Sequence, residues 1–597
     1  MNKPIVAAAL FILSVQIAPA RAASPGFDCA EASLPVEHTI CQSERLSRQD
    51  AKLSRLYRNL MNSVAEDSKQ GIRSRQQDWL LSRNKTCDLT PSEAESCLLE
   101  IYRARNRELS ALVVEASARA QPASAAEATG DSLAIVRVTP AGNNVEAGQQ
   151  IVFQFDREVV PIGKMERDTN EIPVVISPAL NCEWRWLNTS ALACQLRNED
   201  RMKPATTYQL RMSPGIQTED GRQLSGDYRH RFTTIRPKVT YTRFVNWLSP
   251  GTPLIQVSFN QPVSKSSVEL SMTMTPKNAS SPQTVGVIAY PDNMQRTLPW
   301  WMALTNDDEQ PQVDDQLAKL DDDEARRVWV VEPRAELPLD SSIGLDIEPG
   351  LVSSSGDAIG IESRTVVKFN TYPGFSFVGI HCRIKGKSSS EDITLARLQN
   401  IDPGASISER CAPLNRVGLL FSAPVKNSTV KNHVQFTPRL DGGRTDYDPW
   451  ENTHDWTQLS RPHRRGSHYR VWLPELLKAY QQYSVKIDTE GFTDEFGRRL
   501  DNPVSFDFYT GHREPDLRIN HNNAVLEKGV DSDVPVYLTN LEQATITYDK
   551  LGDSSKGNRI EHDIEVQQVE DIAYATPLGV RQLLGDDDTG VIYGRLH

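Results

Sequence analysis

Residues 208–224 read Y-Q-L-R-M-S-P-G-I-Q-T-E-D-G-R-Q-L and are followed at 231–234 by R-F-T-T. The pattern returns at 343–359 as I-G-L-D-I-E-P-G-L-V-S-S-S-G-D-A-I with K-F-N-T at 368–371. It returns again at 483–500 as Y-S-V-K-I-D-T-E-G-F-T-D-E-F-G-R-R-L with D-F-Y-T at 507–510. The glycine pairs Gly215/Gly221, Gly350/Gly356 and Gly491/Gly497 keep one spacing. Each copy alternates apolar and polar residues, turns at glycines and alternates again, which predicts strand, turn, strand.

Working outward, a matching first strand lies upstream of each copy, at 151–160, 255–263 and 417–425, with Phe155, Phe259 and Phe421 at its centre. A repeat of roughly a hundred residues is too long for a solenoid and predicts a string of β-sandwich domains. The expected units span 132–236, 237–372 and 373–513, and 514–597 reads as a partial further unit of the same kind.

The chain has 597 residues, 39% of them hydrophobic, which allows about four domains with separate cores. A net charge of −12 argues for solubility and against a nucleic-acid partner, which calls for a basic face. Residues 1–22 combine Lys3, an apolar run and the small-x-small site Ala20-Arg21-Ala22, the pattern of a secretory signal peptide. No later stretch has the length of a membrane span, and no Cys follows the cleavage site to carry a lipid. The expected location is therefore periplasmic or secreted.

Export suits the cysteines. All eight fall into close neighbours, Cys29/Cys41, Cys87/Cys97, Cys182/Cys194 and Cys382/Cys411, as short-loop disulfides would. Proximity is the basis of this pairing, since sequence alone leaves other connectivities open.

Residues 27–114 have a different character. Leu46, Leu53, Leu56, Tyr57, Leu60, Met61 and Val64 recur at helical spacing, followed by Ile72, Trp79 and Leu80, and then Leu98, Leu99, Tyr102, Leu109 and Leu112. These faces predict a unit of three or four helices stapled by Cys29/Cys41 and Cys87/Cys97. The Ala/Ser-rich stretch 115–131 reads as a linker, so that head and β-domains become beads on a tether. The fold class expected is thus multidomain and mainly β, a small disulfide-stapled helical domain followed by tandem Ig-like sandwiches.

Several stretches invite chemistry. Trp184 and Trp186 share one face of a strand and read as packing over the Cys182/Cys194 bridge sooner than as a binding surface. The acidic insertion 300–327 lacks the Asp-x-Asp-x-Asp-Gly order of a calcium loop. His454, His463 and His468 lack the short spacings and supporting ligands of a zinc site. No G-x-S-x-G, H-E-x-x-H, G-x-x-x-x-G-K or C-x-x-C occurs. The reading is of no enzyme, with no catalytic residue, cofactor or metal.

Two resemblances add to this. The order F-D-C-A at Phe27, Val36-Glu37, Ile40-Cys41, Leu46, Asp50, Leu53, Tyr57, R-Q-Q-D-W-L-L-S-R-N-K-T-C ending at Cys87, then Cys97, Tyr102 and Arg105 resembles the LprI-like family, whose named member inhibits lysozyme. From Ser132 onward the chain resembles the N-terminal part of bacterial alpha-2-macroglobulins. Pro140-A-G-N-N-V-E, C-E-W-R-W at Cys182 with Cys194, the repeated turns ending F-T-T, P-W-W-M-A-L at Pro299 and V-P-V-Y-L-T-N at Val534 carry that likeness.

The second resemblance implies the arm of a protease trap defending the periplasm, with proteases as partners. The family's C-x-E-Q thioester motif is missing from these residues, since Cys29-A-E-A and Cys97-L-L-E lack the Gln that would supply the acyl group. The first resemblance implies lysozyme as an alternative partner of the head. A cell-envelope scaffold is the remaining alternative.

Overall fold

A computed structural model describes residues 25–64, 66–87, 91–119, 132–161, 166–167, 171–277, 282–289, 325–384, 389–399, 410–530, 532–551, 560–585 and 589–597. The expected signal peptide, most of the linker (120–131) and most of the acidic insertion (up to 324) lie outside the described residues. The protein is multidomain and mainly β, with a helical N-terminal region held by disulfides. Contacts divide the chain into two units, one of residues up to Asn246 plus Thr252–Phe369, the other of Trp247–Gly251 plus Asn370–His597.

In the first unit the head consists of α1 (Pro35–Gln42), α2 (Glu44–Ser63), α3 (Glu66–Thr86) and α4 (Pro91–Arg119). Glu37 closes the first turn of α1 by accepting from the backbone N–H groups of Ser33 and Leu34, which also holds its pKa below the carboxylate range. Ser43 caps α2 by accepting from Leu46 N–H. Leu46, Leu53, Leu56 and Leu60 meet Ile72, Leu98, Leu99, Tyr102 and Leu109 in one core. The helical spacing in the sequence is realised, but α4 continues through Arg119, past the expected start of the linker at residue 115.

Two sheets form the first β-domain. One has five strands in the order Ile135–Thr139, Gln150–Phe155, Ala191–Gln195, Glu183–Asn188, Glu166–Arg167; the other has four, Gly142–Val145, Tyr228–Thr234, Thr207–Met212, Val174–Ser177. Trp184 and Trp186 are buried against Phe153 and Phe155, with ring centroids 6.2 and 5.7 Å apart, so the tryptophan pair is core. The second β-domain is built on a seven-stranded sheet in which Thr252–Ser264 alternates buried and half-buried residues along its whole length. That period of two is what pairing on both edges with one face toward a core demands.

In the second unit, a four-stranded and a three-stranded sheet form the third β-domain, around Phe377, Phe421, Phe492 and Phe506. Trp247 and Tyr372 meet edge to face at 5.1 Å, and Trp247 Nε1 donates to Arg461 O at 3.0 Å. Residues 514–597, expected as a partial domain, close two three-stranded sheets over a core of Val536, Leu538, Ile546, Tyr548 and Leu583. A joint centred on Asp571 ties this domain to the third. Its carboxylate accepts from His512 Nδ1 at 2.7 Å, Arg513 N at 2.6 Å and Asn540 Nδ2 at 3.0 Å.

All four disulfides pair as proximity suggested, Cys29–Cys41, Cys87–Cys97, Cys182–Cys194 and Cys382–Cys411, and no cysteine is left free.

Candidate functional site

Polarity decides where the head sits. The face of α2 opposite its leucines carries Arg48, Lys52, Arg55 and Asn59, residues that an isolated helix would turn to water. Here that face meets the second β-domain. Arg48 pairs with Glu269, and Lys52 Nζ donates to Leu270 O at 2.8 Å and lies 3.3 Å from Glu348. Lys52 is buried, and desolvation lowers its pKa while Glu348 pulls it back. Asn59 Oδ1 accepts from Ile359 N at 3.3 Å.

The apolar core crosses the same boundary. Ile359, at the end of the second repeated turn, joins the head's leucines in one cluster, with Val352 and Ile361 alongside. The tethered-bead expectation is thus corrected: the head is docked, because its core is completed by a residue some three hundred positions downstream. The second turn differs from its sister copies for this reason. Gly356 needs no positive φ; a Cβ there would lie 2.2 Å from Ala205 O, so the glycine permits close approach to the first β-domain. Ala358 N donates to that same carbonyl at 2.7 Å.

Inside the head, buried polar residues form two hydrogen-bonded groups. Tyr102 donates to Asp50 Oδ1 at 2.7 Å and accepts from Arg83 Nη1 at 2.7 Å, while Arg105 holds Gln76 Oε1 at 2.9 Å. Trp79 stands edge-on to Tyr102 at 5.3 Å. Burial and the neighbouring Asp50 carboxylate push the Tyr102 phenol far up, so it stays a donor. These are the residue types quoted for the head resemblance, and they serve its interior. Among the outward residues of α3 are Arg73, Arg75 and Leu81.

The histidines disperse. His463 is buried and stacks on Tyr372 at 4.5 Å, His468 Nδ1 reaches Asp392 Oδ2 at 3.1 Å, and His454 offers its carbonyl to Asn427. Asp392 also bonds His381 Nδ1 at 2.5 Å. Among the described residues no group of three or more His, Cys, Asp or Glu has the geometry to hold a metal ion, and no helix is long and apolar enough to cross a membrane.

Residues 29–109 match the family model described as Lysozyme inhibitor LprI. The head carries an LprI domain. No curated protein matches the chain. Among solved structures, the chain is similar to L,D-transpeptidase 3 from Mycobacterium tuberculosis at 16% identity, over 27% of this chain and 63% of that one, with a TM-score of 0.14. It is similar to native alpha-2-macroglobulin from Escherichia coli spanning domains MG0-NIE-MG1 at 9% identity, over 78% of this chain and 94% of that one, with a TM-score of 0.14. Salmonella alpha-2-macroglobulin reacted with methylamine aligns at 9% identity over 78% of this chain and 41% of its own length, with a TM-score of 0.15.

Proposed function

We propose that the chain is an exported, non-catalytic protein of the bacterial alpha-2-macroglobulin kind, contributing the arm of a protease trap that protects the periplasm. The observation that carries this reading is the tandem order of β-domains, of which the first and third share one corner geometry with Tyr208 and Tyr483 bonded alike, in the sequence context that resembles that family. Its action is steric: domains frame a target, and no side chain performs chemistry on it. The docked head is then part of the frame. In the cell that makes the protein, deleting its gene is expected to leave envelope proteins more readily cut by added protease. Unchanged cutting overturns the reading. The purified chain alone, lacking a C-x-E-Q thioester, is expected to form no covalent adduct with trypsin and to give no protection to a bulky protein substrate.

A second reading, lysozyme inhibition by the head, is favoured by the LprI match over residues 29–109. The exposed side of α3, with Arg73, Arg75 and Leu81, is a surface that the docking of α2 leaves open to such a partner. The intact protein should slow lysozyme on a cell-wall suspension, and Arg73→Glu with Arg75→Glu should weaken that effect at least several-fold. Undiminished lysozyme activity at equimolar protein rejects this reading.

A further inference from the structure

Arg236 is 6% exposed, and its guanidinium has no carboxylate within ion-pair distance among the described residues. Nη1 donates to Ile359 O at 2.9 Å, but Nε has no partner among the described residues. Burial lowers its pKa to about 10, with the Asp357 field only partly offsetting this, so the group still carries its charge at neutral pH. A buried cation without a counter-charge is costly, and proteins ordinarily pair it. Close by, the Ser117 hydroxyl on the last turn of α4 is also 6% exposed and has no partner among the described residues.

Both groups line one cavity of about 100 Å³ between the head and the β-domains of the first unit, with Asn59, Asn143, Arg231 and Asp357 around them. That space holds a few waters or one small oxyanion. Asp357 is exposed and stands as the lone carboxylate of the lining. Arg231 is committed on one side, since Nη1 and Nη2 donate to Asn62 O and Ser63 O at the end of α2. The unsatisfied donors are thus Arg236 Nε and the Ser117 hydroxyl.

The cavity adjoins a wider groove of about 610 Å³, with which it shares Asn62, Asn143, Gln209 and Arg231. On the groove floor Arg211 and Arg229 stand directly opposite each other on paired strands, both exposed. Like charges so placed destabilise a sheet. Arg211 is paired with Asp227 and Lys69 with Glu66, so the cations Lys69, Arg211, Arg229 and Arg231 outnumber the nearby carboxylates.

We propose that this cavity binds the carboxylate or phosphate group of an anionic ligand through Arg236 and Ser117, with the ligand's further negative charges lying over Arg211 and Arg229 in the groove. The buried end selects a small planar or tetrahedral oxyanion; the groove favours a ligand with more than one negative charge.

The test uses the intact chain and follows thermal unfolding and calorimetric titration with inorganic phosphate and, separately, acetate, against chloride at equal ionic strength. Saturable stabilisation with a half-point of about 1–10 mM by one of the two is expected, and which one responds identifies the group. Ser117→Ala should weaken it about five- to tenfold. Arg229→Glu should leave the small anion within about twofold but weaken tripolyphosphate or a short poly-glutamate about tenfold, the two polyanions separating phosphate from carboxylate ligands. Arg236→Gln should abolish binding, and Arg236→Lys serves if that variant folds poorly. No stabilisation beyond chloride by either anion, with ordered water satisfying Arg236 Nε, overturns the proposal. So does binding that Ser117→Ala and Arg236→Lys leave untouched, which marks an adventitious ion only.

Discussion

Tyr208 and Tyr483, 275 positions apart by their numbering, make the same hydrogen bond: each phenol oxygen accepts from the backbone N–H of the lysine five residues before it, Lys203 at 2.9 Å and Lys478 at 3.0 Å. The likeness extends outward. Thr234 Oγ1 donates to Lys203 O at 2.7 Å and Thr510 Oγ1 to Lys478 O at 2.6 Å; Tyr208 stacks on Phe232 and Tyr483 on Phe508, both at 5.4 Å. This is the corner device of Ig-like sandwiches, in which a tyrosine hydroxyl fixes the chain entering a strand. The second copy has Ile343 in that position and instead lends its turn to the head.

Removal of the corner bond should therefore act on one domain at a time. Tyr208→Phe is expected to destabilise the first β-domain by about 1–2 kcal/mol, since a backbone N–H loses its partner, and Tyr483→Phe should do the same to the third. Hydrogen exchange resolved by peptide reads this: protection should fall in 203–234 for one variant and in 478–510 for the other. Uniform loss across both regions for either variant would contradict independent corners.

Docking of the head changes what proteolysis should yield. The Ala/Ser-rich composition of 120–131 is that of a preferred cleavage site, so a limited digest should cut first there. The two pieces should nevertheless co-elute in gel filtration, held by Ile359 in the head core and by the Arg48–Glu269 and Lys52–Glu348 pairs. In Lys52→Ala the Leu270 carbonyl and Glu348 lose their shared donor, a loss of about 1–3 kcal/mol, and the cut pieces should separate. Immediate separation of the wild-type pieces would mean that the head is merely tethered.

Phe155 and Phe421 lie in the expected first strands, Trp184 and Trp186 read as packing and are packed, and the cysteines pair with near neighbours, because each depends on local period or short loops. Lys52 and Asn59 were legible only as the wet side of a helix, since their partners lie some three hundred residues away. Arg236 and Ser117 gave no signal of any kind, as an unpaired buried charge is a property of the assembled fold. Gly356 kept the spacing of its sister glycines while serving close approach in place of a turn conformation.

The bridge Cys182–Cys194 closes a loop of 12 residues across the hairpin that holds both tryptophans. Loop-closure entropy for that length is worth about 3 kcal/mol. Cys182→Ser with Cys194→Ser should lower the denaturation midpoint of the first β-domain accordingly while leaving residues 370–597 unchanged. Non-reducing peptide mapping of the wild type should recover all four neighbour pairs, and a free thiol at any of them would contradict the structure.

Asp392 lies in one cross-strand row with His381, Gly418 and Trp472, and its carboxylate is bonded by His381 and His468 with Arg470 4.0 Å away. Partial burial works to raise its pKa, but the two imidazole bonds and the Arg470 charge outweigh that and hold it below the usual aspartate value. A carboxylate depressed in the folded state binds its proton more tightly once unfolded. Its stabilisation is therefore full above the unfolded value, about 3.9, and drains away as pH falls through the folded one. Because the Asp392 side chain is 35% exposed, solvent screening holds the contribution under about 1 kcal/mol. Asp392→Asn should lower the urea midpoint of the third β-domain slightly at pH 6. The gap to wild type should then narrow steadily below pH 4 and close once both forms of the domain carry a neutral side chain at position 392. A gap that stays constant from pH 6 to pH 2.5 would show that the row is held by packing on Trp472, with no contribution from the charge of Asp392.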